Sequence, residues 1–137
     1  MESDREEVLR ANRSFYRAFE DYDISSMQEV WSNGDYVRCT HPGWKTLIGW
    51  SEVRQSWEGI FSNPTMMKFE LHNVQIDIVN TIALVSLIEE ITSVSTEGTQ
   101  KFKVVASNVF EQKGARWQMI LHHGSGYTFP ERSSHFN

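Results

Sequence analysis

Glu89-Glu90 and His122-His123 each set two ionisable side chains of one kind next to each other inside an otherwise apolar stretch. Leu87-Ile88-Glu89-Glu90-Ile91 reads as a strand, and adjacent strand residues point to opposite faces, so one of the two glutamates should face the interior. A carboxylate taken out of water has its pKa raised, which suits general acid or base work near neutral pH. Glu90 is the preferred candidate for that role. In the competing account the outward glutamate is solvated and the inward one is paired with a buried Arg or His. His122 and His123 divide between two faces in the same way, and the inward one would make an acid–base pair with Glu90. The plainer alternative is a histidine whose hydrogen bonds are simply satisfied at a strand end.

Cys39-Thr40-His41 is a second place to look. Cys39 and His41 share a parity and therefore a face, but a Cys–His nucleophilic pair needs a third, orienting group that the sequence does not identify. Pro42-Gly43 accounts for the segment as a strand exit and turn. Cys39 is expected in the core and His41 at the rim of a pocket. Trp44, Trp57 and Phe110 are the aromatic candidates for lining an apolar cavity. Asn108 shares parity with Val104, Ala106 and Phe110, and one polar group in an apolar row is how small-molecule pockets fix ligand orientation. A metal set of His41, Glu90 and His122 or His123 would need the fold to assemble it. No H-x-H, H-E-x-x-H or C-x-x-C spacing supports one, so no metal is expected. Neither G-x-G-x-x-G nor a P-loop is present, and no organic cofactor is expected.

The elements that must position these residues change period once along the chain. Ser3-Asp4-Arg5-Glu6 has the form of a capping box, and Val8, Asn12, Phe15, Phe19 and Tyr22 follow at helical spacing. A short second helix is predicted from Ser25 to Asn33-Gly34, with Met27, Val30 and Trp31 inward. Tyr36 to Thr40 reads as a strand, and Ser51 as the cap of a third helix carrying Val53, Trp57, Ile60 and Phe61. From Lys68 onward the period falls to 2, giving strands at 68–79, 82–93, 101–111 and 117–127. Asn80-Thr81, Glu97-Gly98 and Lys113-Gly114 are the expected hairpin turns. Helices followed by a strand meander predict an α+β fold, one domain over residues 1–127, with 128–137 a tail that Phe129 and Phe136 could anchor.

The strand after Thr81 is apolar on both alternate sets, whereas helices cover only one sheet face. A second copy of the chain is the economical cover for the other face, so a homodimer packed through the outer sheet face is predicted. With 137 residues and a formal charge of −5 spread without basic runs, neither nucleic acid nor an anionic membrane surface is an expected partner. One cysteine and a charged start, MESDREEVLR, lead to a cytoplasmic expectation.

The paired-aromatic first helix, H-P-G-x-x-x-x-x-G-W before W-E-x-I-F, and the ending W-Q-x-x-x-H-H-G-S-G together resemble the SnoaL-like branch of the nuclear transport factor 2-like superfamily. Arg116-Trp117-Gln118 through Gly126 is also similar to the association domain of calcium/calmodulin-dependent protein kinase II. The resemblance implies a cystatin-like cone: three N-terminal helices packed in a strongly curved, mostly antiparallel sheet. It further implies a pocket between the first helix, the third helix and the sheet, and dimerisation through the outer sheet face. The kinase association domain lines its pocket with arginines, and Glu90, Asn108 and Gly124 stand at those positions here. None is basic, so its anion-binding chemistry is not expected.

Two functions from different classes follow. The first is a small-molecule pocket protein, an isomerase, cyclase or dehydratase acting by acid–base chemistry on an apolar carbonyl compound. The second is a non-catalytic homodimeric domain for ligand binding or assembly.

Overall fold

The computed structural model describes residues 3–127, so the expected tail and its Phe129 and Phe136 anchors lie outside the described residues. The chain opens with helix α1 (Asp4–Glu20), where Ser3 and Glu6 form the reciprocal capping box. Helix α2 (Ile24–Val30) is capped by Asp23, not Ser25. The Asp23 carboxylate accepts from both the backbone N and the hydroxyl of Ser26, which satisfies a free amide of the first turn. Strand β1 (Arg38–Thr40) is shorter than expected, and the chain turns back through a two-residue strand β2 (Leu47–Ile48) that period-based reading cannot detect. Helix α3 (Trp50–Phe61) begins one residue before Ser51. Its N-cap is Gly49 at φ 91°, a backbone state that other residues adopt only under strain, and no side chain caps it.

Four long strands complete the chain: β3 (Met66–Val79), β4 (Ile82–Ser95), β5 (Gly98–Lys113) and β6 (Arg116–Gly126). The pairings Ser95↔Gly98 and Lys113↔Arg116 place two turns one residue later or earlier than expected, at Thr96-Glu97 and Gly114-Ala115. Asn80-Thr81 is the turn between β3 and β4. The strands form one curved, open, mixed sheet in the order β2-β1-β6-β5-β4-β3. All neighbours are antiparallel except β1 and β6, which run parallel with Cys39 beside His122.

The helices bury one face of this sheet. Phe15 and Phe19 of α1 meet the Trp57 ring of α3 edge-on, at 5.6 and 4.9 Å between centroids. Trp31, Met27, Phe110 and Met119 close the rest of the core with no exposure. On β4 the odd residues Ala83, Val85, Leu87, Glu89 and Ile91 face this core. The even residues face outward, and there the register lines up Leu84, Val109 and Leu121 in one row and Ile88 with Val105 in another. Leu84 and Val105 remain 47% and 43% exposed, leaving an apolar band on the uncovered face. No helix among the described residues is long and apolar enough to cross a membrane.

Candidate functional site

The β4 register decides between the two glutamates, and it corrects the expectation for Glu90. Glu89 lies on the helix-covered face and is buried, whereas Glu90 points to the opposite, outer face. The reason is parity: Val85, Leu87 and Ile91 must bury, and Glu89 shares their side of the strand. Glu90 instead bonds His72 of β3 at 2.9 Å, and that bond holds its carboxyl below the usual range.

Inside, four side chains from α1, β4, β5 and β6 join in one line. The Tyr16 hydroxyl donates to Glu89 Oε2 at 2.5 Å. Asn108 Nδ2 donates to the Tyr16 oxygen at 3.1 Å and to Asn12 Oδ1 at 2.9 Å. His122 Nδ1 lies 2.6 Å from Asn108 Oδ1. Both amide hydrogens of Asn108 are thereby used, so its oxygen must accept and the proton sits on His122 Nδ1. That tautomer leaves Nε2 of His122 as an unprotonated lone pair. Asn12, which the helical pattern marks only as a member of the inward stripe, is fully buried, and its Nδ2 has no hydrogen-bond partner among the described residues.

Burial sets the electrostatics of this line. It raises the Glu89 carboxyl to about 7, against the smaller lowering effect of the Tyr16 hydrogen bond. The Tyr16 phenol is pushed well above its usual value, chiefly by burial and then by the neighbouring carboxylate. His122 is depressed to about 3, first by burial and then by His41 and His123. His122 therefore stays neutral at the end of the line away from Glu89, and the carboxyl near 7 is the group of this line suited to proton transfer near neutral pH.

His41 is buried rather than set on an open rim. Its ring stands edge-on to Trp57 at 4.8 Å and to Trp44 at 4.7 Å. Ser56 spends its one hydroxyl hydrogen on the Val53 carbonyl at 2.7 Å, so His41 Nε2, 3.0 Å away, is the donor to Ser56. Desolvation lowers His41 to about 4. Cys39 is buried 3.7 Å from His41 Nε2, and burial raises its thiol, which removes it from nucleophilic chemistry.

The remaining candidates divide in the same way. Trp57 and Phe110 are wholly buried and pack the core around the network, while Trp44 is half-exposed and covers His41 from outside. His123 points outward, paired in register with Ser107 and Thr40. Of the positions that carry arginine in the kinase association domain, Gly124 is packed so that a Cβ there would lie 3.1 Å from Val104 and 3.3 Å from Pro42. No longer side chain fits at that position without displacing them.

The interior around the network is occupied by aromatic rings rather than left as a wide hollow. A cleft of about 400 Å³ opens between α1 and β3, lined by Arg13, Arg17, Tyr16, Glu20, Phe69 and Leu71. Tyr16, whose hydroxyl is bonded to Glu89, is among the residues lining it. Sequence reading missed this approach because Arg13 and Arg17 look like ordinary solvated residues of an amphipathic helix.

Helices cradled by a curved mixed sheet, with polar groups drawn inward from α1, β4, β5 and β6, define the nuclear transport factor 2-like fold. A SnoaL-like domain profile matches residues 8–130, and the chain belongs to that family. A candidate dehydratase of the NTF2-like family from Streptomyces avermitilis superimposes with a TM-score of 0.85 at 30% identity, over 92% of this chain and 98% of that one. A candidate calcium/calmodulin-dependent protein kinase type II association domain from Thiobacillus denitrificans gives a TM-score of 0.77 at 26% identity, over 86% of this chain and 93% of that one. Among curated proteins, F-box protein SKIP8 of Arabidopsis thaliana is 30% identical over 118 residues, covering 86% of this chain. The chain spans about half of that protein, 48% of its length.

Proposed function

We propose that this protein is a small-molecule enzyme of the isomerase or dehydratase kind, with Glu89 as its acid–base group. The observation that carries the reading is the unbroken line Glu89–Tyr16–Asn108–His122, whose carboxyl titrates at about 7. Strongly shifted carboxyls cluster at functional sites, and a proton-transfer group works best with a pKa near the working pH. The similarity to a candidate dehydratase of 30% identity agrees with the same class of chemistry.

In this reading a carbonyl compound enters from the α1–β3 cleft over Tyr16. The Glu89 carboxylate takes the proton from the carbon next to the carbonyl, and the electron pair moves onto the carbonyl oxygen. Asn12 Nδ2, a buried donor with no hydrogen-bond partner among the described residues, is the group proposed to meet that developing charge. Glu89 then returns the proton, either to another carbon, giving isomerisation, or to a departing β-hydroxyl, giving water and an enone. Tyr16 and Asn108 hold the carboxyl and His122 in register. The ligand is expected to be mostly apolar, and a lone buried thiol fits a reducing, cytoplasmic setting.

The test is proton exchange in D2O. Wild-type protein and Glu89→Gln are incubated with a panel of β-hydroxy ketones, β,γ-enones and thioesters, and deuterium incorporation or loss of water is followed by NMR. Turnover by wild type that disappears in a folded Glu89→Gln supports the assignment. Turnover that survives the substitution, or a panel that wild type leaves untouched, rejects it.

A second reading is favoured by the apolar band of Leu84, Ile88, Val105, Val109 and Leu121 on the outer face. It makes the protein a non-catalytic homodimeric domain for ligand binding or assembly, as the likeness to an association domain would suggest. The dimer itself is compatible with both readings. Only the enzyme loses turnover with Glu89.

A further inference from the structure

Glu70 and His72 of β3 and Glu90 of β4 form a cluster on the outer sheet face that the interior network does not use. Glu70 and Glu90 are direct cross-strand partners. Two like charges directly opposite each other destabilise a strand pair unless a cation lies between them. His72, two residues along the same face, brings Nε2 to 2.9 Å from Glu90 Oε1 and 3.2 Å from Glu70 Oε1. One ring nitrogen carries at most one hydrogen, so it cannot satisfy both carboxylates well. Lys103, the Glu90 partner on β5, is the nearest ammonium in register, and it approaches Glu90 from the side away from β3.

We propose that Glu70, His72 and Glu90 bind a divalent transition-metal cation of the Zn2+ type. An imidazole with two carboxylate oxygens is a donor set such ions accept. With metal–ligand bonds of about 2.0–2.1 Å, neighbouring ligands of a tetrahedral site stand about 3.3 Å apart. The two contacts of His72, 2.9 and 3.2 Å, already lie close to that spacing. All three ligand atoms fall within 4.8 Å of one another, and the Glu70 side chain is 72% exposed, so a change of rotamer closes the remaining gap. The fourth position faces outward, where water can fill it. Because Glu90 belongs to this outer cluster, the site is separate from Glu89 and the proton-transfer line. It also departs from the sequence expectation of no metal, because that expectation considered Glu90 only with His41, His122 and His123.

The test uses the untagged full chain, freed of metal with a chelator and titrated with ZnCl2 by calorimetry. Imidazole nitrogen shifts are followed in parallel by NMR. The proposal expects saturable uptake of one ion per chain and a shifted Nε2 resonance at His72. It expects Glu90→Gln and His72→Ala to weaken uptake by at least about tenfold, as losing even a supporting group does in established sites. His123→Ala, on the same face but outside the cluster, should bind as wild type does. Absence of saturable uptake overturns the proposal, leaving a plain His–carboxylate ion pair. Uptake that His72→Ala does not weaken also overturns it.

Discussion

Tyr16 and Glu89 stand 73 residues apart in sequence, yet their oxygens lie 2.5 Å apart across the seam between α1 and β4, with the phenol donating to the carboxylate. The bond fixes Glu89 in a water-poor setting where its charged form is disfavoured. Folding therefore favours the protonated carboxyl. That contribution to stability is complete below the ordinary carboxyl pKa of 4.5 and disappears as the pH rises through the folded value of about 7. Compared with wild type, Glu89→Gln should gain about 2–3 kcal/mol in relative stability between about pH 4.5 and about pH 8. Urea unfolding of both proteins at the two ends of that range measures it.

The buried histidines act in the opposite direction. His41 and His122 are depressed to about 4 and about 3, so the fold favours their neutral forms. Their contribution is intact above the ordinary imidazole value of 6.5 and is lost as the pH falls toward the folded values. Between about pH 6 and pH 5, unfolding takes up two protons at the histidines and releases one from Glu89. Wild-type stability should then fall by about 1.4 kcal/mol per pH unit from these three groups. His122→Gln leaves one histidine against one glutamate and should flatten that slope, as read from urea midpoints.

Asn108 is the junction of the line, bonded to Asn12, Tyr16 and His122. Asn108→Leu keeps the branched shape but strands Asn12 Oδ1 and His122 Nδ1, while Tyr16 retains Glu89, at about 1–3 kcal/mol for each group left unsatisfied. A total loss of about 3–5 kcal/mol should appear as a thermal midpoint about 10–20 °C lower. Trp44→Ala, removing a half-exposed ring, should change stability by under about 1 kcal/mol and serves as the comparison.

Leu84 and Val105 test the outer face. Wild type should sediment as a dimer at tens of micromolar, and the double substitution Leu84→Glu with Val105→Glu should sediment as a monomer. Both side chains point away from the core, so far-UV circular dichroism should not change. A monomeric wild type, or a dimeric double variant, would refute association through this face.

Much of the fold was legible because it rests on period. The α1 stripe Val8, Phe15 and Phe19 and the alternation along β5 each have one dry side, and that side shows in the residue types. Glu89 was not legible for the converse reason. Both sides of β4 are apolar, so composition cannot say which carboxylate goes in, and the answer depends on where α1 lies over the sheet. Asn108 and one of the pair His122 and His123 were recognisable as inward candidates, but which histidine turns in, and its bond to Asn108, depends on the β5–β6 register, including the irregularity between Val109 and Phe110. Asn12 was concealed inside a helical stripe of apolar neighbours. His72 drew no notice because its partners lie on two strands and none forms a known ligand spacing.

β1 owes its place in the sheet to β6, the last strand described, with Cys39 lying parallel beside His122. A nascent chain that has emerged only as far as β5 can close the β3–β4–β5 meander, but it cannot seat β1 or join Asn108 to His122. Until translation reaches that final strand, Glu89, Asn12 and His41 would be polar groups beside an open apolar groove, which is when chaperone dependence and misassembly would concentrate.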